Sequence, residues 1–166
     1  MSFQELIALF EGSGIADRIR ENDVLFPLIE SIHVLSVALV VGSIVAVDLR
    51  LLGLAWATRP ASRVARGILP LTWCAFVFAV VSGALLFVSN ATKYLANGYF
   101  VAKMILIALA GANMVAFHWI GARDQPRWDR ADLPPMKARV AGGLSILLWF
   151  AVVTCGRWIG FTMKIG

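Results

Sequence analysis

Four long apolar runs divide this chain, at about residues 24–52, 68–89, 99–120 and 137–161. Each reaches the roughly 20 residues that a helix needs to cross a bilayer. Pro27 falls in the first turn of the first run, where a missing N–H costs nothing. Before that run the pattern differs. Phe3, Leu6, Ile7 and Phe10 recur at helical spacing, and Ser2 followed by Glu5 matches a capping box. Gly12-Ser13-Gly14 then breaks the helix, and Ile15 and Ile19 start a second short one. Charge interrupts these positions and no basic leader precedes them, so they do not read as a signal peptide. Residues 1–22 are expected to be amphipathic helices on the membrane surface or, given their acids, docked on the bundle. The pattern predicts an all-α, integral membrane, four-helix up-down bundle. A single domain uses residues 1–166.

Composition agrees. The chain is 60% hydrophobic and 15% charged, with a mean hydropathy of +0.80, whereas soluble domains carry about 25% charged residues. The net charge of +5 lies in short connectors, a topology signal rather than a nucleic-acid surface. Arg50, Arg59, Arg63 and Arg66 mark the first connector, read as a polar stretch ahead of residue 68. Arg123, Arg127, Arg130, Lys137 and Arg139 mark the third, and Lys93 alone marks the second. The positive-inside rule then places connectors one and three in the cytoplasm and both termini outside. Cys74 and Cys155 lie inside apolar runs without metal-type spacing, and are expected to be buried thiols without a disulfide. Most tryptophans, Trp56, Trp73, Trp119, Trp128 and Trp158, fall near run boundaries, as an aromatic belt requires.

Ionisable residues inside the runs are the candidate chemistry, because charge in hydrocarbon is expensive. Glu30 and His33 are three apart and share a helix face. At about 1.5 Å per residue, His33 lies roughly 14 Å below the outer end of the first helix, Lys103 about 6 Å below that of the third, and His118 about 28 Å below it. His33 and Lys103 can therefore meet, and His33 and His118 cannot ligate one iron together. Arg157 falls at a depth like that of Lys103, so Glu30, His33, Lys103 and Arg157 can converge in the outer half, joined by Ser82 and Thr154. Structural alternatives stand beside this. Lys103 and Arg157 can snorkel to headgroups, Glu30 can pair with Arg157 to close the bundle, and His33 can make one structural hydrogen bond. A second polar group, Asp48, Arg50, Asn113 and His118, belongs to the inner half. There Asp48 and Arg50 are expected to lock the end of the first helix, with His118 interfacial.

The runs FPLIESIHVLSVALVVGSIVAVDLRLLG and SGALLFVSNATKYLANGYFVAKMILI resemble an uncharacterised family of bacterial four-helix membrane proteins with the pattern E-x-x-H followed by D-L-R-L-L-G. That resemblance implies a fold and a bacterial inner-membrane location, and no activity. More distantly, a helix-one His with F-x-x-K opening helix three is similar to the heme-binding membrane protoporphyrinogen oxidase family and to the membrane domain of the copper-resistance D family. The former implies heme b, with His33 as iron ligand and Lys103 as its companion. The chain departs from the oxidase pattern after helix one, reading DLRLLG without a further His.

Three functions compete: a heme-binding redox protein, a proton-relay or transport protein using Glu30, His33 and Lys103, and a noncatalytic subunit of a larger membrane complex. The lipid bilayer is the expected partner, with a homo-oligomer or a membrane partner subunit in the latter two; nucleic acid is excluded. No Walker, GxSxG, HExxH or dinucleotide motif is present. The connector charges generate a topology prediction. With Cys74 and Cys155 replaced, single cysteines at Ser13 and Thr92 label from outside intact cells and one at Arg130 does not; the reverse pattern would invert the orientation.

Overall fold

The computed structural model describes residues 3–121, 125–131 and 133–163. It is 85% helical, and among these residues there is no strand. In chain order the helices are α1 (Phe3–Glu11), α2 (Gly14–Glu21), α3 (Leu25–Leu51), α4 (Ala61–Ser89), α5 (Ala91–Ala96), α6 (Gly98–Ala116), α7 (Gln125–Trp128) and α8 (Met136–Thr162). A π-helical turn, Phe117–Gly121, extends α6. The helices α3, α4, α6 and α8 are the four long apolar ones, each long enough to span a bilayer.

The accessible surface is 10678 Å², against about 8,100 Å² for a water-soluble monomer of this mass. The excess is apolar. Leu35, Val77, Phe78, Leu147 and Phe150 are all more than half exposed, a distribution that a bilayer accepts and water does not. Cys74 is exposed and Cys155 half-buried, both as free thiols. This corrects the expectation of two buried thiols: an apolar helix face in a membrane is covered by lipid, not by protein.

The spanning helices pack in the spatial order α4-α3-α8-α6, and α4 and α6 share no extended seam. Small and hydroxylated residues make the α3–α4 seam. Ser36, Ser43, Thr72 and Ser82 are buried there, and the Thr72 hydroxyl donates to the Ser43 oxygen at 2.8 Å. Lipid is as apolar as leucine, so close backbone approach and hydrogen bonds, rather than hydrophobic burial, hold such helices together. The α3–α8 crossing is equally close. A Cβ on Gly142 would lie 3.1 Å from the Asp48 carbonyl oxygen and 3.2 Å from the Leu51 Cβ.

The end carrying both termini, the terminal end, is covered by the short helices. Ser13 caps α2 through the Ala16 amide, so the break at Gly12-Ser13-Gly14 falls where the sequence placed it. Ser2, the other half of the expected α1 capping box, lies outside the described residues. Ile19 is buried against Ile29 and Leu86, which docks α2 on the bundle. Arg20 pairs with Asp17 and donates to the Ser89 carbonyl at 3.2 Å and the Glu11 carbonyl at 2.9 Å. The Glu11 carboxylate accepts from the Thr92 amide and hydroxyl, both at 2.7 Å, and so caps α5 from a distance. Those two Thr92 bonds, backbone first, hold its pKa below the usual carboxylate value. Asn97 caps α6 through Tyr99 and Phe100, and its amide reaches Thr162 at 2.7 Å.

The opposite, basic end departs from expectation. Helix α4 begins at Ala61, seven residues ahead of the predicted start, and Pro70 lies inside it. The reason is tertiary. Asp129 accepts from the Ser62 amide at 2.7 Å and the Ser62 hydroxyl at 2.6 Å, and its carbonyl accepts from the Ala61 amide at 3.0 Å. A residue 67 positions away in sequence supplies the N-terminal partners that residues 61–67 lack locally. Burial pushes the Asp129 carboxyl up, but the Ser62 hydroxyl and amide, with Arg130 and Arg50 nearby, hold it below its ordinary value. Trp128 is buried with Leu51, Ala61 and Ala138, and so belongs to this small core rather than to an aromatic belt.

Arg50, 0% exposed, ties the end together. Its Nε donates to the Arg59 carbonyl at 2.8 Å, and its Nη2 to the carbonyls of Ala131 at 3.1 Å and Asp129 at 3.4 Å. The expectation that Arg50 locks the end of the first helix matches this geometry, with carbonyls as its partners. Arg50→Lys is expected to lower stability by about 2 kcal/mol or more, since an ammonium cannot reproduce the planar fork and strands buried carbonyls. Arg66→Lys, on an exposed side chain, shifts it by no more than about 0.5 kcal/mol. Thermal unfolding in detergent measures both.

Candidate functional site

His33 sits on α3 near the terminal end and turns toward α4. Its Nδ1 lies 3.0 Å from the Ala79 carbonyl oxygen and 3.2 Å from the Ser82 hydroxyl. A carbonyl only accepts, so the Ala79 bond places a proton on Nδ1, and in the neutral ring Nε2 then keeps its lone pair. Ser82 is itself held, since its hydroxyl donates to the Phe78 carbonyl one turn earlier. Gly83 makes room for the ring: a Cβ there would lie 3.0 Å from His33 Cε1 and 3.3 Å from Nδ1.

Lys103 enters from α6. It is half-buried, and its ammonium lies 3.6 Å from where a Gly156 Cβ on α8 would stand. Lys103 is within electrostatic reach of both His33 and Cys155. One level of the bundle therefore gathers an imidazole from α3, a hydroxyl from α4, an amine from α6 and a thiol from α8. The imidazole and the amine each rest over a glycine of a neighbouring helix.

Three residues proposed for this cluster do not join it. Glu30 is exposed, and its electrostatic neighbour is Tyr94 of α5, whose phenol is raised above its ordinary pKa by burial and by that carboxylate. Arg157 is also exposed and lies over the Phe161 ring of its own helix at 4.6 Å. The expected Glu30–Arg157 pair is not formed. Glu30 does not orient the imidazole either, because the Ala79 carbonyl does so. Thr154 bonds back to the Phe150 carbonyl. The misplacement has a simple cause: depth along a helix follows from residue count, but the direction of a side chain around the axis depends on which neighbours the helix chooses.

The inner polar group is dispersed in the same way. Asn113 donates to the Ala141 carbonyl at 3.0 Å, and His118 is exposed with Nδ1 3.0 Å from the Met114 carbonyl. Asp48 is 5% exposed, bonded to Ser145, with Oδ2 buried and unpartnered. Among the described residues no group of three or more His, Cys, Asp or Glu side chains could hold a bare metal ion. The sequence offered no signal for the cap from Asp129 or the seat at Gly83, because both depend on residues far apart in the chain.

Residues 20–162 match a family described as Family of unknown function (DUF6644). The chain belongs to the DUF6644 family. The match takes in all four spanning helices of this DUF6644 protein and leaves out α1 and the first part of α2. No curated protein and no solved structure matches it.

The seat of His33 gives a direct test. Gly83→Ala forces the ring to shift and is expected to cost about 1–3 kcal/mol. Gly42→Ala, where nothing lies within 4 Å of the added carbon, changes stability by no more than about 0.5 kcal/mol. Detergent-phase unfolding of the two variants distinguishes a close seat from a loose one.

Proposed function

We propose that this DUF6644 protein is a small heme b-binding redox protein of the bacterial cytoplasmic membrane, with its site at the His33–Lys103 level. The observation that carries the reading is the His33 tautomer. With Nδ1–H donated to the Ala79 carbonyl, Nε2 keeps the lone pair that ligates iron, and the carbonyl fixes the ring as an outer partner of a metal-bound histidine does. The donor set suits a heme better than a bare ion. It would offer one imidazole and one amine to the iron, and the porphyrin would bring its own nitrogen donors.

Bound heme would contribute one-electron redox chemistry. This chain's residues would do the rest. His33 would ligate through Nε2, while Ala79 and Ser82 hold the imidazole against rotation. Lys103 has two possible tasks that its protonation decides: as a neutral amine it ligates, and as an ammonium it pairs with a carboxylate such as a propionate. Gly83 and Gly156 let the imidazole and the amine lie close against α4 and α8. The relay reading is weaker, because Glu30 is exposed and the hydrogen bonds of His33 go to Ala79 and Ser82 instead.

The test is the absorption spectrum of protein purified from heme-replete cells. The wild type shows a Soret band, His33→Ala abolishes it, and His118→Ala and Glu30→Ala keep it. Lys103→Met changes the ligation state if Lys103 binds iron, and only weakens heme retention if it pairs with a propionate. Full, unshifted absorbance in His33→Ala would overturn the assignment. A wild-type protein without heme would favour the partner-subunit reading.

A further inference from the structure

At the basic end, the connector after α3 and the first turns of α4 enclose a groove of about 300 Å³. Trp56, Arg59, Arg63, Val64, Gly67 and Ile68 line it. The spacing 60s pattern is helical: Arg63, Gly67 and, beside them, Val64 and Ile68 stack on one face of α4 at intervals of four. The two sides differ in chemistry. Trp56, Val64 and Ile68 are apolar, while Arg59 and Arg63 are cationic, and among the described residues no acid lines the groove. The nearby acid that caps α4, Asp129, is already held by Ser62. Among the described residues, neither the Arg59 nor the Arg63 guanidinium has a hydrogen bond or an ion pair, whereas the Arg50 guanidinium beside them donates through Nε and Nη2 to three carbonyls.

Two further features shape the groove. Trp56 has φ 49, a left-handed backbone that a bulky side chain rarely adopts, and its ring is 45% exposed. Its left-handed turn sets the indole beside the start of a membrane-spanning helix, at the depth where tryptophan meets headgroups. Gly67 leaves the floor open, with no atom within 4 Å of the position a Cβ would take.

We infer that this groove binds the phosphate headgroup of an anionic phospholipid, with Arg59 and Arg63 on the phosphate and Trp56, Val64 and Ile68 against the glycerol and upper acyl chain. The cations supply charge complementarity. The apolar wall and the position at the mouth of a spanning helix select a lipid over a free anion. This inference does not depend on the heme site, which lies toward the other end of the bundle.

Native mass spectrometry of the detergent-purified full chain, mixed with equimolar phosphatidylglycerol and phosphatidylcholine, reads the result. Phosphatidylglycerol is expected to be retained preferentially. The double variant R59Q/R63Q, whose backbone bonds are untouched, lowers that retention by about 30-fold, the combined effect of two cations at an anionic headgroup. Gly67→Leu keeps both charges and also loses the lipid, because it fills the floor. Arg18→Gln, on the exposed face of α2 at the other end, leaves retention unchanged. Equal retention of the two lipids, or full phosphatidylglycerol retention in either groove variant, would overturn the site. Displacement of the lipid by excess inorganic phosphate would overturn the lipid assignment in favour of a free-anion site.

Discussion

A buried guanidinium holds one end of this protein together. Arg50 has lost all contact with solvent, and the acceptors it has gained are carbonyls on both connectors of the basic end. A charge taken out of water costs several kcal/mol unless polar groups replace the water. Three carbonyl dipoles and the nearby Asp129 carboxylate make that replacement. The same arrangement brings Asp129 to the start of α4, where it caps the helix, and sets Trp128 into the small core with Leu51, Ala61 and Ala138. The bounds of α4, the course of both connectors and the shape of the phospholipid groove all follow from where that guanidinium sits.

The other end works by reciprocal capping, while close approach joins the helices along their length. Glycines and hydroxyls let α3 sit against α4 and α8 with little apolar burial, as helices in lipid require. The short helices at the terminal end reach across the sequence: Glu11 to α5, Arg20 to the end of α4, and Asn97 to the end of α8. A histidine fixed by a backbone carbonyl is already oriented for a ligand before one arrives, which is the physical basis of the heme reading.

The heme and phospholipid proposals occupy opposite ends and use different chemistry. One rests on an imidazole held inside the bundle, and the other on two arginines that line a groove at its edge. Membership of the DUF6644 family covers the helices that carry both. Glu30 and Arg157 illustrate how the first was narrowed. They share a depth with His33 and Lys103, yet both face outward.

The sequence by itself determined the four spanning helices, the two amphipathic N-terminal ones with their break at Gly12-Ser13-Gly14, and the lock at Arg50, because each is written in local periodicity, in turn residues or in the cost of charge within an apolar run. Depth was legible too, since rise per residue is constant, and it paired His33 with Lys103 and kept His118 apart. Rotation about each helix axis was not legible. The apolar runs are hydrophobic on nearly every face, so no stripe announces which side meets protein and which meets lipid. Tertiary structure alone decided that His33 turns to Ala79 rather than to Glu30, that Cys74 faces outward, and that α4 starts at Ala61. For His33 and for the start of α4 the deciding partner, a carbonyl 46 residues away or a carboxylate 67 residues away, becomes a neighbour only once the helices have chosen their packing.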